Sequence, residues 1–140
     1  SAMTPGSRGA LGSSAHPELL MPVVQIHALR PPEPEQRDIG LSAIVDGIGS
    51  ALGTGPSGIW VQWVTVDAMH TGSRPRAFLG HCPVVTIRAK TRRTPDQVGA
   101  ALQSTATAVA AALDLSLADV WVHWQALAPS TVFAGGALQE

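Results

Sequence analysis

Few side chains in this 140-residue sequence could do chemistry. Two prolines stand at matching places, Pro22 in MPVVQIHAL and Pro83 in CPVVTIRAK. A proline nitrogen inside a chain is a planar amide with a delocalised lone pair, so it cannot act as a base. At a chain terminus it is a secondary amine. Arg92 and Arg93 are adjacent. Neighbours along an extended segment point opposite ways, so one of them faces solvent when the other faces a site. Read alone, both are solvated charges at a helix entrance. His123, in VWVHWQAL, is either a half-buried strand histidine or a hydrogen-bonding group at a site. His27, His70 and His81 lack paired ligand spacing, so no metal site is expected. Cys82 is the single cysteine; it excludes an intrachain disulfide, and no activating partner is evident. No phosphate-binding glycine loop occurs, and no cofactor is expected. Trp60/Trp63 and Trp121/Trp124 are spaced three apart, which puts each pair on opposite faces of a strand. They read as core and subunit-interface packing.

The elements that carry these residues are written twice. Pro83 follows Pro22 by 61 residues (83 − 22), and the offset holds without a gap through a whole unit. Val23, Val24, Ile26 and Ala28 pair with Val84, Val85, Ile87 and Ala89. Pro34 and Gln36 pair with Pro95 and Gln97, Ala51-Leu52 with Ala112-Leu113, Trp60-Val61 with Trp121-Val122, and Trp63 with Trp124. A chance match would drift over such a length. Each unit reads as strand, helix, strand. Val23 to Leu29, Ile59 to Val66, Val84 to Ala89 and Val120 to Leu127 are short, apolar and β-branched or aromatic. Leu41, Ile44, Val45, Ile48 and Leu52 recur at helical spacing, as do Val98, Leu102, Thr105, Val109 and Leu113. Thr94-Pro95-Asp96-Gln97 predicts a capping box at the start of the second helix. A helix between two strands of one sheet makes them parallel with a right-handed crossover. The expected class is α+β: two β-α-β units, 22–66 and 83–127, form a four-stranded mixed sheet with two helices on one face. The linker 67–82 reads as a loop with one short edge strand around Phe78-Leu79. The tail TVFAGG reads as another short strand ending in a turn. Residues 1–20 are rich in Gly, Ser and Pro and read as a tag scar (Ser1-Ala2) and an extended or disordered leader. Met3 and Met21 are both possible starts, and 21–140 forms the single domain.

Apolar residues make up 45% of the chain and charged ones 14%, which predicts that apolar surface is buried between subunits. The formal net charge is −1 and there is no basic tract, so nucleic acid is not an expected partner. No apolar run approaches the roughly 18 residues of a membrane span, so no membrane partner is expected either. Together with the lone cysteine this gives a cytoplasmic reading.

A β-α-β unit opening on Met-Pro resembles the tautomerase superfamily. PVVQIHAL followed by helix, strand and VFAGG is similar to 4-oxalocrotonate tautomerase. The fused pair, with RAFLGH and VWVHWQALAP, resembles the cis-3-chloroacrylic acid dehalogenase branch. The resemblance spans roughly residues 21 to 136. It implies a homotrimer of fused units, and a general base made of the N-terminal proline freed when methionine is removed. Pro22 matches that proline. Arg92 and Arg93 fall where fused members place the arginines that grip the substrate carboxylate, and Arg30 lies at a similar place in the first unit. Phe133 matches a pocket phenylalanine, Trp60 replaces an arginine at the opening of the closing strand, and His123 aligns with a tyrosine. The water-activating glutamate and helix histidine of the dehalogenases have no counterpart; Ile48 falls near the latter. The resemblance therefore implies a proline-based keto-enol tautomerase, or a related lyase or hydratase, acting on a small 2-oxo or enol carboxylate. The alternative is a non-catalytic trimer whose proline is blocked by the leader.

Overall fold

The computed structural model describes residues 22–70, 72, 80–90 and 93–139. The expected edge strand around Phe78-Leu79 and the leader lie outside the described residues. The duplicated units appear as β1 (Val23–Ala28), α1 (Pro34–Leu52) and β2 (Trp60–Thr65), then β3 (Val84–Ala89), α2 (Pro95–Leu113) and β4 (Trp121–Ala126). A 3₁₀ turn, Leu117–Asp119, precedes β4. A hairpin of β5 (Val132–Ala134) and β6 (Ala137–Gln139) closes the chain. The sequence predicts only the first strand of that hairpin. Gly135 and Gly136, at φ 62° and 81°, turn the chain back so that Ala137–Gln139 pairs with it.

The four long strands form one sheet in the order β2-β1-β3-β4. Within each unit the strands are parallel, and the two units meet through antiparallel β1 and β3. Gln25 lies opposite Thr86, its own counterpart 61 residues on. A local twofold axis therefore passes between them and relates the units.

Strand alternation splits the sheet into two faces. Val24, Ile26 and Ala28 of β1 and Val85, Ile87 and Ala89 of β3 are buried on the helix side. Val24, Ile26, Val85 and Ile87 meet Ile44, Ile48 and Leu52 of α1 and Val109 and Leu113 of α2 in one core. Local chemistry closes the start of α2 and the end of α1. Thr94 accepts from the Gln97 N–H at 3.1 Å while Gln97 Oε1 accepts from the Thr94 N–H at 3.0 Å, which is the predicted capping box. Gly53 ends α1 at φ 72°, a left-handed conformation that glycine adopts without a Cβ penalty. The helices approach closely through small residues: a Cβ on Gly47 would collide with Ser104 Oγ, and one on Gly40 would lie 2.8 Å from Ala112 Cβ. Thr105 is fully buried in the predicted helical stripe, and its hydroxyl has no hydrogen-bond partner. No helix among the described residues is long and apolar enough to cross a membrane.

Among the described residues, no helix lies on the second face of the sheet. It presents Trp60 and Trp121, each 56% exposed, at opposite corners, with polar residues between them.

Candidate active site

Pro22 is buried at the start of β1. Its carbonyl accepts from the Trp60 N–H at 2.9 Å, which ties the openings of β1 and β2 together. β3 runs antiparallel to β1, so its last residues lie at this same end of the sheet, with Val23 opposite Arg88. The chain then passes into α2 through Arg93. This end also receives the C-terminus of α1, because α1 leads directly into Trp60. Arg93 Nη1 donates to the Leu52 carbonyl at 3.4 Å, and its Nε is buried without a partner. Helix α1 has no basic residue in its last turn. The Arg93 guanidinium therefore stands at the negative end of its dipole, a favourable place for a cation. A buried donor without a partner is costly, and beyond its bond to Leu52 the guanidinium keeps further donors.

Topology thus brings Pro22, Trp60 and Arg93 to one end of the sheet. Arg92 lies outside the described residues. Arg30 follows β1 and lies at the other end, where its carbonyl is 3.0 Å from His81 Nδ1. His123 is on β4 opposite Thr86, with its ring 5.7 Å from that of Trp121. β3 stands between it and β1, so about two strand spacings, ~10 Å, separate it from β1 within one chain. Phe133 is 72% exposed on the hairpin and belongs to no core cluster of its own chain. The Trp pairs divide as their spacing predicts: Trp60 and Trp121 are on the open face, while Trp63 and Trp124 pack partly buried against the core.

The local twofold axis makes a second version of the site at the opposite end. Pro83 is buried, and its carbonyl accepts from the Trp121 N–H at 3.3 Å. A cavity of about 330 Å³ opens there, lined by Met69, Cys82, Pro83, Val84, Asp119 and Trp121. Cys82 occupies the place of Met21 in the repeat and holds the left-handed conformation, φ 44°. Charge distinguishes the two ends. Arg88 at the Pro22 end corresponds to His27 at the other, and Asp119 at the Pro83 end corresponds to Gly58 at the first. Sequence reasoning missed Arg88. Its signal was the strand alternation that puts Gln25 and Thr86, as well as Arg88, on the face away from the helices.

No family model matches this sequence, and a search of curated proteins finds none similar. Solved structures do match. A fused 4-OT, a wild type asymmetric trimer, superposes with a TM-score of 0.75 at 15% identity over 83% of this chain and 94% of that one. The chain has the tautomerase fold. Pt0534, a structure inactivated by 2-oxo-3-pentynoate, superposes at 0.68 with 14% identity, over 84% of this chain and 94% of its own. N1, a member of the cis-3-chloroacrylic acid dehalogenase family, gives 0.67 and 19% over 84% and 83%. The tautomerase fold appears here in its fused form, with both β-α-β units in one chain.

Proposed function

We propose that this chain, once Pro22 is freed from Met21, is a proline-based keto-enol tautomerase, or a related lyase or hydratase, for a small 2-oxo or enol carboxylate. The observation that carries this reading is a buried proline opening a central strand of the tautomerase fold, with the under-used guanidinium of Arg93 at the same end of the sheet. A free α-amine titrates near about 8. Apolar surroundings and nearby cations disfavour its charged form and lower that value. The neutral nitrogen then takes a proton from the carbon beside the substrate ketone and returns it elsewhere on the enol. Arg93, or Arg92 beside it, holds the carboxylate and draws electron density toward it. Trp60 supplies an apolar wall.

Phe133 and His123 join the site through assembly in this reading. The sheet ends in two different strands, β2 and β4. Joining the β2 edge of one subunit to the β4 edge of the next is a heterologous contact, which forms a ring where its rotation closes. A homotrimer of this kind covers the exposed tryptophans. It brings His123 on β4 toward the Pro22 end of a neighbour, and the Phe133 hairpin into the same groove.

In the sequence as it stands, Met21 makes the Pro22 nitrogen an amide, and that favours the second reading, a trimer with a binding role alone. Covalent trapping separates the two. The full chain and a chain beginning at Pro22 are each treated with 2-oxo-3-pentynoate, and the adduct is located by mass spectrometry. The enzyme reading predicts a single adduct on Pro22 in the shorter chain and none on Pro22 in the full one. Modification only at Cys82 in both would overturn it.

A further inference from the structure

Arg88 stands on the open face of the sheet. Its only hydrogen-bond partners among the described residues are glutamines. None of the four strands contains an aspartate or glutamate. The single ion pair among the described residues is Arg37–Asp38, on α1. Arg88 Nη1 donates to Gln25 Oε1 at 2.7 Å, and its Nε donates to Gln125 Oε1 at 3.2 Å.

These bonds fix how the amides are turned. A guanidinium has donors only, so both glutamines must offer it their oxygens. Gln25 is then left with its amino group, which donates to Gln62 Oε1 at 2.9 Å. Gln62 has in turn engaged its oxygen. Each of the three amide oxygens of this network already accepts one of these bonds. What remains among these side chains is mostly donors: Gln62 Nε2, Gln125 Nε2, the second N–H of Gln25 and the second amino group of Arg88, against one further lone pair on each oxygen. The Thr86 hydroxyl and the His123 ring lie in the same cross-strand row as Gln25 and Gln62. Trp60 lies two strands from Arg88 in its own row, on the β2 edge, and Trp121 lies on the β4 edge. Among the described residues, the strands of this face carry one full positive charge, a majority of donors and no carboxylate.

We infer that this face binds a small oxyanion, with the Arg88 guanidinium as its charged centre and the Gln62 and Gln125 amides as flanking donors. The site lies within one chain. It rests on Arg88 and the glutamines bonded to it, and it requires nothing of the Pro22 nitrogen. It stands whether or not the enzyme reading does. Assembly sharpens the requirement: subunits that close over the face strip water from Arg88, and a desolvated guanidinium needs a counter-charge. The bound oxyanion then stabilises the assembled form by mass action.

The test uses the full chain, in which Pro22 is an amide, so a result here is independent of catalysis. The ¹⁵N-labelled protein is titrated with inorganic phosphate and, separately, with acetate, at constant ionic strength held with sodium chloride. The side-chain amide signals of Gln25, Gln62 and Gln125 and the Arg88 Nε–H are followed, with the oligomeric state measured by light scattering at both ends of each titration. Saturating shifts of these signals with either anion are expected, and the relative affinities show whether a tetrahedral or a planar oxyanion fits better. Arg88→Lys keeps the charge without the fork and should bind at least about tenfold more weakly. Arg88→Gln should abolish saturation. The double variant Gln62→Leu/Gln125→Leu alters exposed positions and should weaken binding severalfold while keeping the fold. Shifts that grow linearly to the end of both titrations, or saturation that survives in Arg88→Gln or is unchanged in the double leucine variant, would overturn the inference.

Discussion

Substituting Gly49 by alanine should destabilise this protein, although alanine is the better helix former. In the interior of an exposed helix the exchange gains about 0.8–1.0 kcal/mol. Gly49 sits in the last turn of α1, buried beneath the loop that leads to β2. A Cβ there would lie 2.8 Å from the backbone nitrogen of Pro56 and closer still to the carbonyl of Gly55. These are backbone atoms, so no side chain can swing aside. Overpacking of this sort costs about 1–3 kcal/mol, which exceeds the propensity gain. The loop is also anchored on this residue, since the Thr54 and Gly55 N–H groups both donate to the Gly49 carbonyl, at 3.0 and 3.2 Å. Gly99 provides the contrast. It lies in α2 with nothing within 4 Å of its missing Cβ, so Gly99→Ala should stabilise by about 0.5–1 kcal/mol. Thermal unfolding of both variants reads the difference: Gly49→Ala should fall by several degrees and Gly99→Ala should rise by a few. Because the displaced loop ends at Trp60, whose N–H holds the Pro22 carbonyl, Gly49→Ala should also lower any activity of the chain beginning at Pro22. A Gly49→Ala protein as stabilised as Gly99→Ala would refute the reasoning.

Thr105→Val replaces a buried hydroxyl without a partner by a methyl of the same shape. It should raise stability by about 1 kcal/mol in chemical denaturation, and a loss would mean that the hydroxyl is satisfied. Arg93→Gln should cost the chain beginning at Pro22 about 10- to 100-fold in kcat/KM for a carboxylate substrate, the worth of a charge-assisted contact. The same variant should change kcat/KM little for a neutral ester of that substrate. Phe133→Ala should leave the folded chain's stability nearly unchanged, since the ring is exposed in its own subunit. It should weaken trimer assembly or raise KM, as read by light scattering and steady-state kinetics.

The repeat made most of the fold legible. An offset held through Trp63 and Trp124 places two strand-helix-strand units, and the period-2 and helical stripes place the same residues in the core that the structure buries: Ile26, Ile44, Ile48, Ile87, Val109. Thr94 and Gln97 gave the start of α2 because a capping box is local chemistry. Contacts between distant segments were not legible. Arg88 meets Gln25 and Gln125, 63 and 37 residues away in sequence, and no spacing rule links them. The clash beneath Gly49 depends on a loop folding back over its own helix. β6 was missed because Ala137 to Gln139 is too short to carry a pattern, and its pairing follows from the left-handed Gly135-Gly136 turn. Among the proposed site residues, Pro22 and Trp60 stand out through the repeat and Arg93 through the family resemblance. Among the described residues, His123 lies two strands from β1 and Phe133 is exposed on the hairpin, and their proposed link to Pro22 rests on assembly.

The most direct measurement is the rate of ketonisation of phenylenolpyruvate and 2-hydroxymuconate by the full chain and by a chain beginning at Pro22. The account predicts turnover by the shorter chain, lost on Pro22→Ala, and none by the full chain. Equal rates in the two forms, or no turnover of either substrate by the chain with a free Pro22 amine, would contradict it.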